Sequence, residues 1–373
     1  MTRHDSRPIA LLLMILMTAV LSGCVTRPAS SVLSPVGLVD PAQTISIFAV
    51  TNRAELPTGG FAAVQGTGLT YERYEISIPS QRKATEIRTA GRQLDPMRDY
   101  VVLERTRLSK AQFTAAVNRQ LGGGTTASLF VHGYNQSYQE ALLRTAQVMA
   151  DSGMAIPAVM FSWPSEATLW GYLADRDESL ASRSQLADTI RTLAGETRIA
   201  QLGVIGHSMG GFLVMETLRE LKLGGRSDTL DKLAVLLAAP DIDLAVFKSQ
   251  MQVVGRLGAP LTVLVSPNDR ALAASSVLGS ERQRLGMVSV TDPYIQQIAS
   301  AYGVVVVDIS SVPAPDAYGH DSYAAMAGLA RGVALDDARR GATLTDAGLY
   351  VFDATQSILT SPARLGEELA GLQ

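Results

Sequence analysis

A single cysteine, Cys24, among 373 residues rules out any disulfide within the chain, so stability has to come from a packed core. Charge is scarce too: 18% of residues are charged against 47% hydrophobic, and the formal net charge of −3 leaves no basic excess. Without a positive surplus to neutralise phosphates, no nucleic-acid partner is expected. The four histidines form no metal-ligand cluster with Cys, Asp or Glu in the sequence, and no Gly-rich phosphate loop follows the first strand, so no metal and no cofactor is expected either. No apolar run reaches the ~20 residues that a bilayer-spanning helix needs, and no internal repeat is evident. What is left is ample apolar material for one large domain.

Arg3 and Arg7 precede an apolar run over residues 9–21, the layout of a signal peptide. The run ends in Leu21-Ser22-Gly23-Cys24, which resembles the lipobox of bacterial lipoproteins. That resemblance implies cleavage after residue 23 and a lipid on Cys24, and it accounts for an exported chain keeping one thiol there. Lipoproteins retained at the inner membrane carry Asp after the Cys, whereas this chain has Val25. The implied location is the bacterial cell envelope, lipid-anchored at the outer membrane and facing the periplasm. Cleavage would remove Arg3, Asp5 and Arg7 and leave the body mildly acidic. Residues 24–43, rich in Ser, Pro and Thr with little periodicity, are expected to be a flexible tether.

The most informative stretch is Leu202-Gly203-Val204-Ile205-Gly206-His207-Ser208-Met209-Gly210-Gly211, an apolar strand-like run, then Gly-x-Ser-x-Gly, then Leu213, Val214, Leu218 and Leu221 on one helical face. Strand, sharp turn and helix in that order form a nucleophile elbow. A Ser hydroxyl attacks only when a base takes its proton, and the elbow presents Ser208 where a base can reach it. Gly206 and Gly210 leave room for the turn, and the Met209 N–H at the helix start faces an oxygen that becomes negative during attack.

Elsewhere, residues 44–50 and 71–78 read as the first two strands, 100–103 as a short further one, and 109–121 as a helix capped by Ser109. Residues 127–131 form a strand leading into His132-Gly133-Tyr134-Asn135. There Gly133 allows a turn that brings the Tyr134 N–H to the same oxygen as that of Met209, with packing as the other role open to Tyr134. His132 suits holding this loop rather than catalysis. Residues 156–162 are a strand, followed by a helical face through Leu180, Leu186, Ile190 and Leu193. Between them, Trp170 and Tyr172 fit packing of a cap segment better than lining of a cleft. Arg53, at the end of the first strand, reads as a solvated or paired surface charge. Continuous apolar runs at 233–239 and 261–266 fit strands covered on both faces; 294–301 fits a helix, 304–309 the last strand, and 331–373 a tail of one or two helices.

His4 leaves with the signal peptide, His132 lies in the Gly turn, and the elbow should aim His207 away. His320, in a loop after the last strand, is the remaining base candidate. Acids that could orient it are Asp269, after the 261–266 run, and Asp241 and Asp243, after the 233–239 run; adjacent Asp321 is poorly placed to face its neighbour.

With 100–103 left out, the strands put the oxyanion loop after the third, Ser208 after the fifth, Asp269 after the seventh and His320 after the eighth. The chain order Ser, acid, His is that of α/β-hydrolases. More narrowly, residues 48–53, His132-Gly133-Tyr134-Asn135, Phe161-Ser162-Trp163-Pro164, 206–211, Ala239-Pro240-Asp241-Ile242-Asp243 and 266–272 resemble a bacterial esterase/lipase-like group of lipoprotein hydrolases in that superfamily. The similarity spans roughly residues 44–330. It implies an α/β-hydrolase fold with a mainly parallel central sheet of about eight strands and helices on both faces. The layout is a signal peptide (1–23), lipidated Cys and tether (24–43), hydrolase domain (44–330) and helical tail (331–373). It further implies hydrolysis of a small-molecule or lipid ester by a Ser208, Asp269, His320 triad, with Asp269 preferred because the acid commonly follows the seventh strand. The triad alone does not separate an esterase from a serine peptidase or amidase. A non-catalytic envelope lipoprotein with a binding role is the alternative from another class.

Overall fold

The computed structural model describes residues 27–37, 43–83, 85–89, 95–278, 282–325, 350–353 and 358–359. The expected signal peptide and Cys24 lie outside the described residues. The chain runs β1 (Gln43–Glu55), β2 (Phe61–Ile78), β3 (Val101–Leu108), α1 (Lys110–Leu121), β4 (Thr126–Val131), α2 (Tyr138–Ser152), β5 (Ala158–Ser162), α3 (Tyr172–Ala181), α4 (Arg183–Glu196), β6 (Gln201–His207), α5 (Met209–Leu223), α6 (Ser227–Leu230), β7 (Leu233–Ala238), α7 (Leu244–Val254), β8 (Leu261–Val265), α8 (Arg270–Leu278), α9 (Pro293–Tyr302), β9 (Val304–Asp308), β10 (Tyr350–Asp353) and β11 (Ile358–Leu359).

These strands form one sheet in the order β11-β10-β9-β8-β7-β6-β4-β5-β1-β2-β3. From β1 to β9 across its middle every pairing is parallel, and the antiparallel pairings lie at the two edges. Side chains alternate between two buried faces, as a strand period of two requires. On β1, Phe48 and Val50 join a core with α1, α4, α5, α7 and α9, while Ile47 and Ala49 face α2 through Tyr138, Leu142 and Ala146. The capping boxes Ser109/Gln112 and Ser137/Glu140 start α1 and α2 by satisfying N–H groups that have no partner inside the helix.

The sheet is mainly parallel with helices on both faces, as expected, and it carries further edge strands, since residues 101–108 form a full strand and two short strands follow β9, eleven in all among the described residues. The charges of β3 obscure it in the sequence, yet at this edge they are paired across strands: Arg105 with Glu72 at 2.8 Å, Arg73 with Glu104 at 3.2 Å, and Arg107 with Glu55 at 2.5 Å. Three details are corrected. Strands extend through most of residues 51–70, with a tight turn at 56–60 in which Gly59 takes φ +84°. Tyr350–Asp353 and Ile358–Leu359 are strands where helix was expected; the rest of 331–373 lies outside the described residues.

The last correction concerns the tether. Residues 27–37 pack on the domain: Leu33 is 1% exposed in the cluster of Ile47, Tyr74 and Tyr138. The Val36 N–H donates to Val102 O at 3.0 Å, and Gln139 Nε2 to Pro28 O at 2.8 Å. One buried leucine and a few backbone bonds offset a Ser- and Pro-rich composition that reads as loose.

Candidate active site

Ser208 sits between β6 and α5 with φ 54° and ψ −121°, a conformation a non-glycine residue holds only when its surroundings impose it, at a cost of about 1–3 kcal/mol. The imposition is visible at the flanking glycines. A Cβ on Gly206 would lie 2.8 Å from Gly211 Cα, and one on Gly210 would lie 2.5 Å from Val131 O and closer still to His132 O. Gly133, on the neighbouring loop, brings its backbone against Ser208: a Cβ there would lie 3.0 Å from Ser208 Cβ. Neither the Tyr134 N–H nor the Met209 N–H has an acceptor among the described residues.

Asp269, at the start of α8, is fully buried. Its Oδ2 lies 2.6 Å from His320 Nδ1, while its Oδ1 accepts from the Leu272 N–H at 2.9 Å. Burial works against a charged imidazole, but the hydrogen bond and charge of Asp269 outweigh it, and the His320 pKa is raised above its ordinary value. The His320 loop is itself fixed by Asp316, whose carboxylate accepts the N–H groups of Tyr318 at 2.9 Å, His320 at 3.2 Å and Asp321 at 2.9 Å. Ser208 and His320 line one cavity of about 450 Å³, whose walls include Tyr134, Tyr172, Leu272 and Tyr318. A larger hollow of about 660 Å³ between Leu69, Lys110 and Arg191 contains none of these residues.

The other two acid candidates have separate work. Asp241 is buried in an ion pair with Arg284 at 3.2 Å and also accepts from Tyr172 Oη and Ser275 Oγ, at 2.8 and 2.9 Å. Asp243 caps α7, accepting from the Ala245 and Val246 N–H groups. Asp321 pairs with Arg144 at 2.7 Å.

His132 is buried, stacks on Trp163 with ring centroids 4.9 Å apart, and has Nε2 3.1 Å from Trp163 O; burial lowers its pKa to about 3. It is a neutral support for the loop, as its place in the Gly turn suggests. His207 departs from expectation. Its ring lines the same cavity, 4.7 Å from that of His320, because Tyr323 packs on it at 4.3 Å. Burial, then the nearby positive charge of His320 and Arg144, hold its pKa well below the ordinary value.

Arg53 is no surface charge. It is 3% exposed and reaches into the loop that follows Gly133, donating from Nε to Ser162 Oγ at 3.0 Å and through the guanidinium to the carbonyls of Ser165 and Gln136, both at 3.1 Å. Burial lowers its pKa to about 10 against the opposing charge of Asp175. Asp175, which the sequence reading passed over, accepts from the N–H groups of Asn135 at 3.1 Å and Glu166 at 2.7 Å, and from Ser165 Oγ at 2.6 Å. Tyr172 is buried on the cavity wall, but Trp170 is 96% exposed and packs no cap. An arginine near the end of an apolar strand, in a chain this poor in charge, was the available signal for Arg53. Asp175 and Asp316 carried none, since each acts on backbone of a loop that only the fold closes. Among the described residues no three His, Cys, Asp or Glu side chains gather as the ligands of a metal would.

A protein from Nostoc sp., alr1448, described as uncharacterized, is 38% identical over 66 residues, a stretch covering 18% of this chain and 17% of that protein. Among solved structures, an esterase of Pyrobaculum calidifontis is 12% identical with a TM-score of 0.33, over 89% of this chain and 94% of that one. The carboxylesterase EstE1, cloned from a metagenomic library, is 12% identical with a TM-score of 0.35, over 85% and 92% of the two chains. Those two likenesses are too slight to bear on the chemistry. Residues 109–339, more than half of the chain, match one family throughout, and with the Ser208 elbow inside that span the chain belongs to the α/β-hydrolases of unknown function (DUF900).

Proposed function

We propose that this α/β-hydrolase is a serine hydrolase that cleaves carboxylic esters through an acyl-enzyme. The observation that carries the reading is the 2.6 Å contact of Asp269 with His320 Nδ1, in a residue that opens with the strained Ser208 on one cavity. With Nδ1 turned to Asp269, Nε2 is left to take the Ser208 proton. Ser208 Oγ then bonds to the ester carbonyl carbon, and the carbonyl oxygen takes up the negative charge between the Tyr134 and Met209 N–H groups. As the tetrahedral intermediate collapses, the bond to the leaving alcohol breaks and His320 returns its proton to that oxygen. Water repeats the sequence on the acyl-enzyme, releasing the acid and restoring Ser208. Asp269 holds the imidazole tautomer and stabilises the imidazolium.

Reaction of the purified protein with a fluorophosphonate tests this. Labelling is expected at Ser208 and lost in Ser208→Ala, and absence of labelling in the folded protein would refute it. Matched ester and amide substrates then separate an esterase from an amidase. We propose also that Cys24 carries a lipid that holds the protein at the outer membrane. This rests on the Leu21-Ser22-Gly23-Cys24 pattern.

A further inference from the structure

The cavity that holds Ser208 has an unusual rim. Among the described residues, Leu169, Leu278 and Tyr318 line the cavity and are still 72%, 62% and 59% exposed. Their sequence neighbours Trp170, Leu173 and Val277 are also exposed, at the start of α3 and the last turn of α8. Water disfavours apolar side chains left exposed around one opening, and tryptophan, with an apolar body and a polar N–H, is among the residues enriched where water meets lipid.

A second observation says what covers the rim. The first described residue, Arg27, is fastened to the oxyanion loop, donating to Asn135 O at 3.2 Å, Asn135 Oδ1 at 2.6 Å and Glu140 Oε2 at 3.1 Å. Asn135 lines the same cavity. Cys24 precedes Arg27 by three residues, and a fully extended chain covers only about 3.5 Å per residue, so a lipid on Cys24 would start within about 10 Å of the Arg27 backbone, whose side chain reaches the loop that lines the cavity. A tether this short cannot hold the site away from the bilayer.

We propose that the cavity opens onto the membrane surface, with Trp170, Leu173, Val277 and their neighbours in the interfacial layer, and that the substrates are carboxylic esters of bilayer amphiphiles. This rests on the hydrolase and lipid-anchor readings given above. Attachment on this side places a bilayer-borne ester carbonyl beside Ser208, so the acyl chain need not cross water.

The chain has two tryptophans, and Trp163 is fully buried, so a change in emission on membrane contact reports Trp170. The experiment uses the lipidated full chain in vesicles of phosphatidylethanolamine and phosphatidylglycerol, with or without a phosphatidylcholine brominated high on its acyl chain. The expected result is quenching by the brominated lipid that disappears in Trp170→Phe. In parallel, Trp170→Ser, Leu173→Ser and Val277→Ser combined should lower hydrolysis of a vesicle-borne phospholipid about tenfold or more, from lost apolar burial, while a water-soluble short-chain ester is cleaved as before. Unquenched emission from protein that floats with the vesicles would overturn the proposal, and so would a protein partner covering the rim in its place. Equal loss on both substrates would overturn it as well. Protein that cleaves the soluble ester but does not float would defeat the membrane placement and spare the hydrolase reading. Quenching with neither substrate cleaved would defeat the substrate assignment together with that reading.

Discussion

His320 and Asp269 stand 51 positions apart in the chain and 2.6 Å apart in space, and β8 and β9, which deliver them, are adjacent parallel strands. Neighbouring strands of such a sheet end at the same edge, so the loops after them meet. The following outcomes are expected from that arrangement and from the groups that support it.

Ser208→Ala and His320→Ala should each lower kcat by roughly 10³ to 10⁶, because members of such a constellation act as a unit. Single-turnover and steady-state rates on one activated ester measure this, with melting temperature as the control for folding. Ser208→Gly should be equally inactive yet melt higher than Ser208→Ala by an amount equivalent to about 1 kcal/mol, since glycine tolerates φ 54° without strain.

Asp269→Asn should approach the His320→Ala defect in kcat, a loss of up to ~10⁴. Asp241→Asn should act on stability instead, because it strips Arg284 of its buried partner, a change that costs about 3–5 kcal/mol. Asp243→Asn, which keeps a capping side chain, should leave both rate and stability near those of the parent. A folded Asp269→Asn protein of undiminished rate would remove the acid from its assigned role.

If His320 is the base, it must be neutral to take a proton, and since its pKa is raised, kcat/KM should fall as pH falls with a midpoint above the ordinary histidine value of about 6.5. In Asp269→Asn the hydrogen bond and charge that raise it are weakened while burial remains, so the midpoint of the residual activity should move down. A pH profile of the two proteins on an ester without ionisable groups decides this.

Arg53→Met should depress kcat more than it raises KM, because it frees the loop that carries the Tyr134 N–H without touching the rest of the cavity wall. It should also destabilise the fold by about 3 kcal/mol or more, since the buried carbonyl of Ser165 and the half-buried one of Gln136 lose a charged donor. A kcat loss persisting well below the melting temperature separates the positioning effect from unfolding.

Gly210→Ala should cost at least about 1–3 kcal/mol or prevent folding, because the added Cβ meets the backbone carbonyls of Val131 and His132, which cannot swing aside. Gly224→Ala, where the nearest atom is 3.3 Å away, is the comparison by chemical denaturation.

The sequence by itself determined the elements whose signals are local. The apolar runs that became β4 to β9, the Ser109 cap, the turn after Gly133 and the elbow at Ser208 each follow from a few adjacent residues: hydrophobic periodicity, a capping oxygen, a missing Cβ. His320 was singled out because few histidines compete, and its part as the base is what the Ser208 and His320 variants test. Only the tertiary structure decided what depends on partners far along the chain. Charged β3 is a strand because Glu72 and Arg73 on β2 and Glu55 at the end of β1 pair with it, and residues 27–37 are ordered because Leu33 finds a pocket between β1, β2 and α2. Asp269 meets His320, and Asp241 meets Arg284, because strand order brings their loops together. Arg53 reads as an ordinary charge until the fold buries it beneath the loop that follows Gly133. Desolvation and long-range pairing are properties of the assembled sheet, and no window of sequence contains them.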